Sequence, residues 1–130
     1  MNSELHTLDL SSNLLGEIKI DDFLFKKLDK LEILKLDSNS LKTLPEEIFS
    51  TNLNLVKLFL NNNSIVSLEK GIFLNLWKLE NLYLAMNDLS EINKHTFDSL
   101  KSLQMLSLSV SRSNLSIFNF FKEKQTDKSA

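Results

Sequence analysis

The sequence has no cysteine, two glycines, one proline and no long apolar run. Without cysteine there is no disulfide framework, no thiolate nucleophile and no Cys-based zinc site. No stretch approaches the roughly 18 to 20 apolar residues of a membrane span, so direct membrane insertion is not expected. The opening MNSELHTLDL lacks the basic stretch and apolar core of a signal peptide. Basic residues are not in excess either: Lys plus Arg number 15 against 17 Asp plus Glu, a formal charge of −2. The basic stripe of a nucleic-acid binder is therefore missing, and no nucleic-acid partner is expected. The two histidines, His6 and His95, are far apart in sequence. No Ser/His/Asp order, metal-ligand cluster or glycine-rich phosphate loop appears, so neither an enzyme nor a cofactor is expected. With so little glycine and proline, turns fall to other residues, and the asparagines are the candidates.

At 130 residues the chain suffices for one domain, and 42% hydrophobic with 25% charged residues is ordinary for a soluble globular protein. What dominates the sequence is a period. Leu31, Leu55, Leu79 and Leu103 stand 24 residues apart (55−31, 79−55, 103−79). Asn39, Asn63 and Asn87 keep the same phase, as do Leu34/Leu36, Leu58/Leu60, Leu82/Leu84 and Leu106/Leu108. A fixed period of this length signals a solenoid, in which each repeat buries its apolar face only against its neighbours.

Each period supplies L-x-x-L-x-L, as in LEILKL, LVKLFL, LENLYL and LQMLSL. Its alternating second half predicts a short strand of about six residues with one buried face. Stacked repeats then pair such strands into a parallel sheet. Next comes x-x-N-x-L or x-x-N-x-I, in DSNSL, NNNSI and AMNDL. Here the chain turns inward, and Asn13, Asn39, Asn63 and Asn87 are placed to form a ladder satisfying turn amides of neighbouring repeats. Leu15, Leu41, Ile65 and Leu89 read as core, and so do Ile18, Leu44, Leu68 and Ile92. The return carries Phe25, Phe49, Phe73 and Phe97 as a second buried column. Leu28, Leu76 and Leu100 follow three residues later, while after Phe49 the leucine comes one late, at Leu53.

The pattern L-x-x-L-x-L-x-x-N-x-L-x-x-L with a later F-x-x-L resembles the leucine-rich repeat family, over roughly Leu5 to Leu108. The first copy, LHTLDLSSNLLGEI, fits, with Phe25 two residues late and a 26-residue length (31−5). The 24-residue, phenylalanine-bearing version is similar to extracellular repeats of Toll-like receptors and small proteoglycans. The resemblance implies an α/β solenoid, a curved horseshoe with a parallel β-sheet on the concave face and irregular or short helical convex returns. It also implies protein binding as the activity.

Domain expectations follow. A repeat domain covers 1–121 in about five repeats starting near 5, 31, 55, 79 and 103, with a polar, disordered tail over 122–130. The fifth copy slips: Ser111 stands where asparagine is due, and a two-residue shift brings Leu115 and Phe118 into phase. Ile117, Phe118, Phe120 and Phe121 then suit a terminal cap. At the other end nothing precedes Leu5 to cover Leu8 and Leu10. The expectation is a fragment, a truncated product or a chain whose ends a partner covers, with end-to-end self-association through uncapped termini.

Side chains between the leucines point to the concave face. Phe59 and Tyr83 hold its central position in adjacent repeats, with Lys35 before and Ser107 after. Thr7, Ile33, Lys57, Asn81 and Met105 form the parallel row, and Met86 follows the fourth strand. The expected contact site is Phe59, Tyr83, Lys35, Lys57, Asn81 and Met86, since exposed aromatics anchor partners; the bland alternative is cross-strand pairing that only stabilises the sheet. Asn62 and Asn114 begin N-glycosylation acceptor triplets. Trp77 reads as half-buried packing, and Glu46/Glu47 and Asp21/Asp22 as solvated loops. The sequence thus predicts a non-catalytic module binding a protein or peptide, part of an extracellular receptor or recognition protein. The rivals are a structural spacer within a longer array and a cytoplasmic scaffold.

Overall fold

Each L-x-L becomes one rung of a single sheet. The structure, a computed structural model, describes residues 4–109. Within them five strands follow in chain order: β1 (Thr7–Asp9), β2 (Ile33–Lys35), β3 (Lys57–Phe59), β4 (Asn81–Tyr83) and β5 (Met105–Ser107). All neighbours are parallel in the order β1-β2-β3-β4-β5. The register sets Leu8, Leu34, Leu58, Leu82 and Leu106 side by side. Leu34, Leu58 and Leu82 are fully buried, while Leu8 and Leu106, on the outer strands, are partly so. The result is a curved solenoid of stacked coils.

The strands are three residues long, half the expected length. Pairing outlasts them on the far side: Leu36 N donates to Phe59 O at 2.8 Å and Ser38 N to Asn61 O at 3.1 Å, with the same bonds in the flanking coils. The chain then bends, so the ladder continues through extended backbone that is no longer regular strand. Among the described residues there is no α-helix. The returns are i to i+3 turns, such as Ile48 N to Pro45 O at 3.2 Å, and one 3-10 turn at Leu15–Glu17.

At the inward turn Asn39, Asn63 and Asn87 knit successive coils. The Asn63 Oδ1 accepts from Asn39 N at 2.9 Å and Leu41 N at 3.1 Å in the coil before it. Its Nδ2 donates to Leu36 O and Leu60 O. The Asn39 Oδ1 likewise accepts from Asn13 N and Leu15 N, and the Asn87 Oδ1 from Ile65 N. On the return side, Phe49 and Phe73 stack at 6.4 Å and Phe73 and Phe97 at 5.9 Å between ring centroids, all buried.

Two sequence expectations need correction. Ile18 is 57% exposed, not core. Ile20, 24 residues before Leu44, packs on the core in its place. The two extra residues of the first coil therefore lie between Leu15, still 26 before Leu41, and Ile20. Leu53 is also not the leucine of its column. It is 41% exposed, and Asn52, three after Phe49, is fully buried instead.

Asn52 sits where other coils have leucine, and its Nδ2 donates to Phe25 O at 3.0 Å and Leu28 O at 3.1 Å. Both carbonyls already accept backbone amides, from Leu28 and Leu31. Its buried Oδ1 has no hydrogen-bond partner among the described residues. An orphaned buried acceptor costs about 1–3 kcal/mol, and apolar replacement removes that cost. We predict that Asn52→Leu raises stability by about 1 kcal/mol, a melting rise of a few degrees. A lower melting temperature would show that the two amide bonds outweigh the orphaned oxygen.

Candidate functional site

The register turns the residues between the leucines into two outward rows. One runs Asp9, Lys35, Phe59, Tyr83, Ser107; the other Thr7, Ile33, Lys57, Asn81, Met105. In the first row the neighbours touch. Lys35 Nζ lies 3.7 Å from Asp9 Oδ2 and 5.4 Å from the Phe59 ring centroid. Phe59 and Tyr83 stack at 4.2 Å with planes 6° apart. Hydrogen bonds from Ser11, with Lys35 adding to them, hold the Asp9 carboxyl below the usual carboxylate range.

The expected contact residues thus share one face. Lys35, Phe59, Asn81 and Tyr83 are half-buried in it, Lys57 is exposed, and Met86 stands 65% exposed just past β4. Ile33 and Met105 are half-buried beside them. Next to this cluster Asp37 and Asn61 follow β2 and β3, one coil apart, and the Oδ1 of each has no hydrogen-bond partner among the described residues.

The turn beside this face holds a feature that sequence reasoning misassigned. The sequence points to the asparagines as the turn-making residues, since Asn tolerates left-handed backbone angles. The left-handed residue is instead the one before, Ser12 (φ 56°), Ser38 (58°), Asn62 (56°) and Met86 (59°), and in the second coil Ser40 (57°) after Asn39 as well. Such angles are uncommon outside glycine, and for a long side chain especially so. The ladder's hydrogen bonds hold each turn from both sides, so no glycine is needed. The phase was visible in the sequence; the residue types were not diagnostic. In consequence Met86 and Asn62 project from the rim of the sheet. Asn62, first residue of an acceptor triplet, is exposed. Asn114 lies outside the described residues, as do Ser111, the slipped end of the fifth copy and the 122–130 tail.

Elsewhere the returns offer less. Trp77 is 52% exposed, with Lys78 Nζ 5.6 Å from its ring. His6, Lys30, Glu32, Asn54, Val56 and Lys78 line a shallow open groove. There Lys30 Nζ donates to Glu4 Oε1 at 2.8 Å, holding the Glu4 carboxyl low and the Lys30 ammonium high. His95 Nδ1 lies 2.7 Å from Asp98 Oδ2, on a return. Among the described residues no three His, Cys, Asp or Glu side chains are grouped to hold a metal. No described helix is long and apolar enough to cross a membrane. The chemistry on offer is that of a surface.

The sequence matches the leucine rich repeat family over residues 3–53 and 53–112. No curated protein sequence matches the chain. Among solved structures, the leucine-rich repeat domain of APL1B superposes with a TM-score of 0.77 at 31% identity, over 84% of this chain and 32% of that one. TLR13, in its complex with ssRNA13, gives 0.75 at 32% identity, over 80% of this chain and 14% of that one. A leucine-rich repeat protein of Leptospira interrogans gives 0.71 at 34% identity, over 82% and 26%. The chain spans less than a third of the length of each.

Proposed function

This chain belongs to the leucine-rich repeat family, and from that premise we propose that it is a non-catalytic binding module that holds a protein or peptide on the concave face of its sheet. The observation that carries the reading is the Phe59–Tyr83 stack with Met86 beside it, apolar surface offered among the charged and polar side chains of that face. Aromatic anchors surrounded by polar groups are the usual make-up of a contact hot spot. The TLR13 structure contains an RNA. Here the concave face mixes Asp9 and Asp37 with Lys35 and Lys57, and the chain's charge is −2, which favours a polypeptide over a polyanion.

The proposal extends to a place outside the cell, in a receptor or recognition protein. The 24-residue, phenylalanine-bearing period supports that extension, and the exposed Asn62 is where a glycan would mark it. A spacer role is the rival, because a stacked cross-strand pair also stabilises a sheet, by about 0.2–1 kcal/mol.

The two readings separate on one double variant. Peptides selected from a displayed library on the native chain should lose at least tenfold in affinity for Phe59→Ala/Tyr83→Ala. The melting temperature should fall by only a few degrees. Equal affinity for both chains, with a large melting drop, would reduce the pair to sheet packing.

A further inference from the structure

The concave face is not uniformly compensated in charge. Asp9 and Lys35 face each other at 3.7 Å, and Lys35 also lies over Phe59. Lys57 and Asp37 have no such arrangement. Lys57 is exposed, and among the described residues its side chain has neither a hydrogen bond nor an ion pair. Asp37 likewise has no side-chain partner among them, and its Oδ1 is turned under with nothing to accept. The register sets the two on adjacent coils, at opposite ends of the Lys35–Phe59 neighbours. Lys57 opens β3 opposite Ile33, and Asp37 stands four residues further along the neighbouring coil, beyond Lys35. At about 3.3 Å per residue, that separates them by roughly 13 Å along the strand direction. Phe59 and Lys35 lie between, and Tyr83 stacks on Phe59 from the side away from Asp37.

An unpaired cation, an aromatic ring and an unpaired anion along one diagonal make a pattern that a ligand can mirror. In an extended peptide, side chains two and four residues apart point to one side, with the same spacing. We propose that this face takes an extended segment bearing an acidic and a basic side chain four residues apart with an apolar side chain midway. The acid meets Lys57, the apolar group lies on Phe59 at the edge of its stack with Tyr83, and the base meets Asp37. The inference rests on the concave-face reading above and adds the chemistry of the partner.

The probe is a labelled synthetic peptide, Ser-Glu-Ser-Leu-Ser-Lys-Ser, titrated against the full chain by fluorescence anisotropy at low salt. An extended peptide can lie in either direction, so the controls carry like charges: Glu at both ends, Lys at both ends, and Leu replaced by Ser. The mixed-charge peptide should bind roughly threefold better than either like-charge peptide, the scale of one exposed ion pair. That advantage should vanish in 1 M salt. Lys57→Glu should turn the preference to the two-Lys peptide, and Asp37→Lys to the two-Glu peptide. Binding that depends on the leucine but ignores the charges overturns this inference and leaves the apolar site standing. Binding indifferent to the leucine, or absent for every peptide, overturns both.

Discussion

Asn63→Ala is expected to break the stack at its middle. The side chain is 8% exposed and bridges two coils. Its Oδ1 is the acceptor for Asn39 N and Leu41 N, at 2.9 and 3.1 Å, in residues that are themselves buried. Alanine leaves both amides without a partner. At about 1–3 kcal/mol for each orphaned donor, the loss is about 2–6 kcal/mol. Against the 5–15 kcal/mol of an ordinary domain, that is a large share of the stability. In a solenoid each coil contacts only its neighbours, so damage to a central rung also uncouples the coils on either side. Urea unfolding of Asn63→Ala should therefore show an earlier midpoint and a shallower slope. Asn13 provides the comparison: it is exposed, and its Nδ2 reaches only Leu10 O and Ser11 O within its own turn. Asn13→Ala should cost less than about 1 kcal/mol. Equal losses at the two positions would contradict the bridging role.

The fold was legible because its signals are redundant. Each leucine column is written several times at one phase, so a single miss such as Ile18 does not move the reading. The misses fall where one coil departs from its neighbours. A run such as NLLGEIKI shows that residues were added without showing where, because Ile18 and Ile20 are both apolar and only contact decides between them. Asn52 and Leu53 pose the same problem. Spacing puts column residues 24 apart, residue type favours leucine, and here spacing prevailed because Asn52 could bond two return carbonyls. Short strands were hidden for another reason: alternation records which side chains are buried, not how long the backbone stays regular.

The candidate site was legible only in outline. That Phe59 and Tyr83 face the same way follows from the period of two, and their adjacency from the period of 24. The 4.2 Å stack, the Lys35 contact with both Asp9 and Phe59, and the lack of any such contact at Lys57 depend on rotamers. No sequence pattern encodes those. The solenoid spends its repeated residues on its own cohesion, and this leaves recognition to residues that differ between coils.

Gly16→Ala is expected to detach the first coil while sparing the rest. Gly16 lies in the 3-10 turn within the lengthened part of that coil, where the backbone passes close against the next. A Cβ there would stand 2.1 Å from Ser40 O and 2.6 Å from Ser40 C, both backbone atoms that cannot swing aside. The turn has to move outward by about 1 Å to restore ordinary contact. Three bonds hold it in place: Gly16 N to Asn39 O at 2.8 Å, and Asn13 N and Leu15 N to the Asn39 Oδ1. Displacement weakens all three and lifts Leu15 and Ile20 from the core, a cost of about 3 kcal/mol or more. Because stabilisation passes only between neighbours, the loss should stay local. Hydrogen exchange should speed up across residues 5–20, while amides around Leu58 and Leu82 keep their protection. Gly71→Ala tests the steric cause directly. Its Cβ would meet only the Glu46 side chain, Oε1 at 3.0 Å, which is free to rotate away. That variant should melt within about 0.5 kcal/mol of the native chain, as an ordinary surface substitution does. If both glycines tolerate alanine equally, the first coil is not seated as tightly as its backbone contacts require.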